Sequence, residues 1–152
     1  MPRTSAGILL YRRSEKGIEI FLVHMGGPFW ARKDAGAWTF PKGEYGDDED
    51  PLSAARREFR EETGFEIDGD FLGLEAIKQS GKTIRLWAVE GDCDASAIRS
   101  ETFSMEWPRN SGRQHEFPEV DRAAWFSPDE AKLKLVRAQT GFVDQLLRAI
   151  ER

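Results

Sequence analysis

A single cysteine, Cys93, stands among 152 residues, so an intramolecular disulfide is impossible and zinc sites built on several thiolates are excluded. Flanked by Asp92 and Asp94, it reads as a small, unreactive residue near a turn rather than as part of a metal site. Histidine is scarce as well. His24 and His115 have neither metal-ligand spacing nor a partner nucleophile. His24, at a strand end, reads as structural, and His115, beside Glu116, remains open to substrate contact. Long apolar runs are missing. The first, Ala6 to Tyr11 after Met1-Pro2-Arg3-Thr4, is too short for a signal-peptide core with its flanks or for a membrane span, so a cytoplasmic protein with no membrane partner is the expectation. An excess of positive charge is missing too: 22 Lys and Arg face 27 Asp and Glu, for a net charge of −5. An acidic surface repels phosphate, which makes a nucleic-acid partner unlikely, while an anionic substrate stays possible where a metal inverts the local charge. Neither an internal repeat nor a Pro/Gly/Ser tract divides the chain, so one domain over residues 1–152 is expected.

Ten Phe and five Trp, within 39% hydrophobic residues, are ample for one core and place the chain outside the disordered regime despite 32% charged residues. Ser5 to Arg12 and Ile18 to His24 read as strands joined at Gly17, Met25 to Gly36 as a loop, and Trp38 to Phe40 as a short strand ended by Pro41. Asp50-Pro51 is a helix start, cap plus first-turn proline, and Gly64 is the matching stop after Thr63, with Leu52, Ala55 and Phe59 as the apolar face. Phe71 to Lys78 and Thr83 to Glu90 read as a hairpin about Ser80-Gly81. Phe103 to Trp107 is a further candidate strand, followed by a loop through Trp107-Pro108 and Asn110-Ser111-Gly112. Ala123 to Phe126 is a last short strand, Ser127 caps a short helix, and Phe142 to Ile150 forms a final one with Phe142, Leu146, Leu147 and Ile150 inward. The interspersed order predicts an α/β (α+β) fold, a mixed sheet between helices.

The most informative stretch is the first helix. Glu58, Glu61 and Glu62 stand at i, i+3 and i+4, on one face and one turn apart. Like charges at this spacing repel, and Glu61 and Glu62 also meet the negative end of the helix dipole. Hard divalent cations with oxygen ligands would compensate. The alternative is that Arg56, Arg57 and Arg60 neutralise the glutamates and the face is simply solvated. Asp47-Asp48-Glu49-Asp50 lacks the alternating ligands and central glycine of an EF-hand loop, which argues against a calcium-binding structural protein.

Gly43, five residues, Glu49, seven residues, then Arg57-Glu58-Phe59-x-Glu61-Glu62-x-Gly64-Phe65 resembles the Nudix box, the signature of Nudix hydrolases. Every charged residue and both glycines match. Phe59 and Phe65 stand where the family usually has an aliphatic residue, a change of volume at core positions rather than of chemistry. Trp38-Thr39-Phe40-Pro41-Lys42-Gly43 looks like the strand and loop that enter this box, and Ala124-Trp125-Phe126 like the family's late strand. The resemblance implies the Nudix fold and hydrolysis of a nucleoside diphosphate linked to another group, using Mg²⁺ or Mn²⁺. It implies Glu58 and Glu62 as main metal ligands, Glu61 as an additional or water-mediated one, and the backbone of Gly43 as a further donor. Arg57 looks like the residue that orients a box glutamate, and Glu49 like an anchor of the loop to the helix. The implied catalytic set is Glu58, Glu61, Arg57 and one carboxylate outside the box. Glu119, six residues before Trp125, fits that role, and Glu116 is the competing choice.

For the substrate, Lys42, Lys78, Arg85 and Trp107 are the expected contacts. Lys33, Lys82, Arg109, Phe29 and Trp30 are further candidates for phosphate binding or base stacking. Within the family, the branch that cleaves dinucleoside polyphosphates such as diadenosine tetraphosphate is the nearest resemblance. Removal of nucleoside triphosphates and removal of pyrophosphate from RNA 5′ ends are the alternatives. A non-catalytic nucleotide-sensing module is the competing class, and three intact, mutually repelling carboxylates argue against it. The partner is a small nucleotide, and the oligomeric state, monomer or homodimer, is left open.

Overall fold

The computed structural model describes residues 3–150. Met1, Pro2 and residues 151–152 of the expected domain lie outside the described residues. Ten strands and three α-helices follow in order: β1 (Arg3–Ser14), β2 (Gly17–Met25), β3 (Trp38–Thr39), β4 (Lys42–Glu44), α1 (Pro51–Thr63), β5 (Leu72–Gly73), β6 (Ile77–Gln79), β7 (Lys82–Glu90), β8 (Thr102–Glu106), β9 (Gln114–Pro118), β10 (Val120–Phe126), α2 (Pro128–Lys134) and α3 (Gly141–Ile150). No helix among the described residues is long and apolar enough to cross a membrane.

Eight strands form one mixed sheet, ordered β10-β2-β1-β7-β5, with β3 on β2, β4 on β1 and β6 on β7. Only the β1–β7 pair is parallel. The parallel neighbour explains why β1 reads as a nearly continuous apolar run: both faces of the sheet are covered there. Ala6, Ile8 and Leu10 pack toward Ala54, Ala55 and Phe59 of α1. Leu9 and Tyr11 pack toward Ala131 and Leu135 at α2 and Phe142, Val143 and Leu146 of α3. Helices therefore cover both faces of a mixed sheet, the expected class.

The limits of α1 follow from local chemistry. Asp50 accepts from the Ser53 N–H at 3.0 Å, Pro51 occupies the first turn, and Gly64 takes φ of 81°, returning its N–H to the Arg60 carbonyl at 2.8 Å. Asp50→Ala should cost about 1 kcal/mol, the usual loss for a helix cap. Thermal melting should then show a fall of roughly 2–4 °C for a chain of this size.

Besides the unexpected short strand β4, three elements differ from expectation. The strand expected over Phe71–Lys78 is split, because Gly73 faces Trp87 whereas Ile77 faces Ile84, leaving one extra residue between them. That bulge breaks the pairing that the apolar pattern foreshadowed. The late strand begins at Val120 rather than Ala123 and slips in register between Val120 and Arg122. Gln114–Pro118, assigned no element from the sequence, is a strand paired with Thr102–Glu106 in a separate two-stranded sheet. Its polar residues and closing proline conceal it from periodicity.

Candidate active site

Glu58, Glu61 and Glu62 lie along the face of α1 that borders the sheet, opposite the turn that enters the sheet through β4. With Lys42, Gly43, Glu44, Glu101, Thr102 and Glu119 they line a cavity of about 330 Å³. Gly43 is required for this arrangement: a Cβ at that position would overlap the Glu58 carboxylate. The carboxylate therefore rests against the backbone of Gly43, which no side chain could permit.

Arg57 organises the charged face. Its Nε and Nη2 donate to the two oxygens of Glu49 at 2.8 and 3.0 Å, a bidentate pair that ties the loop before α1 to the helix. Its Nη1 donates to Glu58 Oε2 at 2.8 Å and to both oxygens of Glu61, at 3.2 and 3.1 Å. The guanidinium holds Glu49 below the usual carboxylate range.

The remaining carboxylates are pushed the other way. Burial raises Glu62 to about 8. The charges of Glu58 and Glu119 add to the shift, and the Lys42 charge and backbone N–H oppose it. Glu58 is raised by burial, against the Arg57 hydrogen bond, with Glu61 and Glu119 adding. Glu119 is raised by burial and then by the charges of Glu101 and Glu61. Lys42, turned into the same cavity, is lowered chiefly by burial. Desolvated carboxylates that repel one another mark a site awaiting positive charge.

Among the described residues, no three acidic, histidine or cysteine side chains already converge to hold an ion. Glu58 and Glu61 are instead turned toward Arg57. The donor chemistry nonetheless fits a hard dication. Six glutamates line the cavity; Glu44 is paired with Lys82 at 3.1 Å and Arg3 at 3.6 Å, and Glu58 and Glu61 share the single guanidinium of Arg57. Glu58, Glu61, Glu62 and the Gly43 backbone are the groups that would hold Mg²⁺ or Mn²⁺.

Of the residues singled out from sequence, Lys42, Gly43, Glu58, Glu61, Glu62 and Glu119 line one cavity, with Arg57 bonded to two of them. Glu116, on β9 opposite Ser104, does not line it. Lys78, Arg85 and Trp107 lie outside as well. Arg85 stands on β7 over the Trp87 ring, and Lys78 on β6 opposite Thr83. Trp107, 40% exposed, lies at the end of the β8–β9 hairpin remote from Thr102, because each residue of β8 carries the chain farther from the cavity. Phe29 is exposed beneath the Lys33 ammonium, 3.8 Å from the ring centroid, whereas Trp30 packs on the core. His24 is buried between the Asp121 carboxylate, 2.8 Å from Nδ1, and the Lys33 carbonyl, to which Nε2 donates at 2.6 Å. It anchors the long loop after β2. Glu101 was not legible in the sequence: it lies in no motif, and only the chain path brings it beside Glu119.

A NUDIX domain model matches residues 1–146. A C. elegans Ap4A hydrolase, solved as a binary complex, superposes with a TM-score of 0.68 at 18% identity, covering 98% of this chain and 98% of that one. A MutT protein from Methanosarcina mazei Go1 gives 0.63 at 19% identity, covering 99% and 96%. The NUDIX domain of Shewanella oneidensis NrtR, complexed with ADP ribose, gives 0.63 at 13% identity, covering 99% and 89%. No curated protein sequence matches the chain.

Proposed function

The chain belongs to the Nudix family and is a Nudix hydrolase, and from that premise we propose that it cleaves dinucleoside polyphosphates, diadenosine tetraphosphate being the best candidate, in the cytoplasm with Mg²⁺ or Mn²⁺. One observation carries the choice of a long substrate. Ala6 pairs with Gly43 on one side and with Arg85 on the other. Arg85 precedes Trp87 by two residues and so shares the sheet face on which Trp87 packs toward α1. Two strand spacings, roughly 9–10 Å, thus separate a cationic side chain from the box glycine on the same face. Lys78, opposite Thr83, continues that face one strand farther. A polyphosphate with one end in the carboxylate cavity can reach Arg85 with the next phosphates, whereas a shorter anion cannot use both. The likeness to an Ap4A hydrolase supports the same choice at the level of fold.

The residues divide the work. Glu58, Glu61 and Glu62 hold the cation, and Arg57 keeps two of them aligned between turnovers. When bound, the dication neutralises the phosphoryl oxygens and polarises the attacked phosphorus. Glu119 lies across the cavity from the helix, raised above the usual carboxylate range by burial, and accepts the proton of the attacking water. Lys42 contacts a phosphate oxygen from the β4 side.

A substrate panel with product identification tests the reading. Diadenosine tetraphosphate should be cleaved at least about ten-fold faster than ATP, and Arg85→Ala should narrow that ratio while leaving ATP hydrolysis nearly unchanged, as expected for removal of a contact made only by the longer chain. A ten-fold preference for triphosphates would reject the assignment in favour of triphosphate removal.

A further inference from the structure

We propose that Ser100 is a positioning residue for Glu119, a reading that rests on Glu119 acting in the hydrolysis. Glu119 stands at the junction of β9 and β10, and the sheet does not by itself set where it points. Val120 pairs with Met25 and Arg122 with His24, so the register slips immediately after Glu119. What holds this junction is the segment Arg99–Glu101. The Arg99 N–H donates to the Thr63 carbonyl and the Glu101 N–H to the Glu61 carbonyl, each at 2.8 Å. These are orphan carbonyls at the C-terminus of α1, which otherwise need partners. The segment is thereby fixed to the very turn that carries Glu61 and Glu62.

From there the chain of bonds reaches Glu119. The Glu101 carbonyl accepts from the Glu119 N–H at 2.8 Å, and the Glu119 carbonyl accepts from Gly26 at 2.9 Å. Ser100, between the two donors to α1, faces the other way. Its Oγ accepts from the Val120 N–H at 3.1 Å and donates to the Glu101 carbonyl at 2.9 Å. One hydroxyl thus bridges the peptide after Glu119 and the carbonyl that binds the Glu119 N–H. Val120 is 4% exposed, and the Ser100 Oγ is the partner of its N–H. Without the hydroxyl, the Glu119 backbone keeps its bonds to Glu101 and Gly26 but loses the clip that fixes its rotation at the register slip.

The test combines Ser100→Ala and Ser100→Thr with Glu119→Gln. Ser100→Ala should lower kcat roughly ten-fold, the scale of a small misplacement of a reacting group, with KM changed by less than about three-fold. Ser100→Thr, which keeps the hydroxyl, should restore most of the turnover. In the Glu119→Gln background, Ser100→Ala should change kcat by less than about two-fold, since a residue acting through Glu119 has nothing left to position. Amide exchange should show lost protection at Val120 in Ser100→Ala, with the amides of β1 and β7 unchanged. An equal loss in both backgrounds, wild-type turnover in Ser100→Ala, or a global loss of amide protection would each overturn the positioning role. Full turnover by Glu119→Gln alone would instead remove the premise, and the proposal with it.

Discussion

Glu62→Gln should fold and lose turnover by about 10³-fold or more, equivalent to roughly 4 kcal/mol of transition-state stabilisation. The substitution keeps the shape of a side chain at the deep end of the cavity while removing the charge that attracts a dication. Its effect on stability has the opposite sign. The Glu62 pKa is raised by burial from the usual 4.5 to about 8 in the folded, metal-free protein. A carboxyl with a raised folded-state pKa takes up a proton on folding, so its charged form opposes folding. That penalty is absent below pH 4.5, grows between 4.5 and 8, and is complete above 8. Metal-free Glu62→Gln should therefore melt above the wild type at pH 8, and the two should converge toward pH 5. Each kcal/mol relieved is worth roughly 2–4 °C. Mg²⁺ should raise the wild-type melting temperature, because it binds the folded state, and should do so much less for the variant. Near wild-type turnover of Glu62→Gln at saturating Mg²⁺, or equal metal stabilisation of both proteins, would show that the cation binds elsewhere.

Glu119→Gln should lower kcat by roughly 10²-fold, the scale of losing a general base, with a smaller effect on KM. The side chain shares the cavity with the box glutamates, and its pKa is raised by burial and by Glu101 and Glu61. A base that titrates above the ordinary carboxylate range leaves a visible acidic limb in the wild-type profile of kcat/KM against pH. Turnover should fall as pH drops and Glu119 takes up its proton, and Glu119→Gln should weaken the limb, leaving the part due to Glu58 and Glu62. Glu116→Gln should leave both kcat and the limb unchanged, since Glu116, on β9 opposite Ser104, does not line the cavity. The reverse ranking in parallel kinetics would transfer the role to Glu116.

The carboxylate-bearing helix was legible almost residue by residue because its determinants are local. Asp50, Pro51 and Gly64 fix its ends through bonds to residues no more than four positions away, and the spacing of Glu58, Glu61 and Glu62 sets their common face. The two-sided burial of β1 was equally plain in its unbroken apolar run. The Arg57 pairing with Glu61 follows from the same periodicity, since i+4 neighbours on a helix meet without any distant chain.

Everything that closes the cavity on its far side depended on contacts across the chain. Whether Glu119 or Glu116 faces the helix was open in the sequence, because spacing along a loop does not define direction. The direction follows from the hydrogen bonds of Glu101, Ser100 and Gly26, and from a register slip that no pattern of residue types announces. Glu101 entered the cavity for the same reason. Arg85 and Lys78 stand outside the carboxylate cavity on neighbouring strands, and pairing rather than sequence distance sets their separation from Gly43. The amino-acid sequence by itself determined the carboxylate face, its helix and the family to which the chain belongs, since each rests on interactions within a few turns. Only the tertiary structure decided which carboxylate faces that helix and how far the cationic side chains lie from it, since those depend on strand pairing between residues remote in sequence.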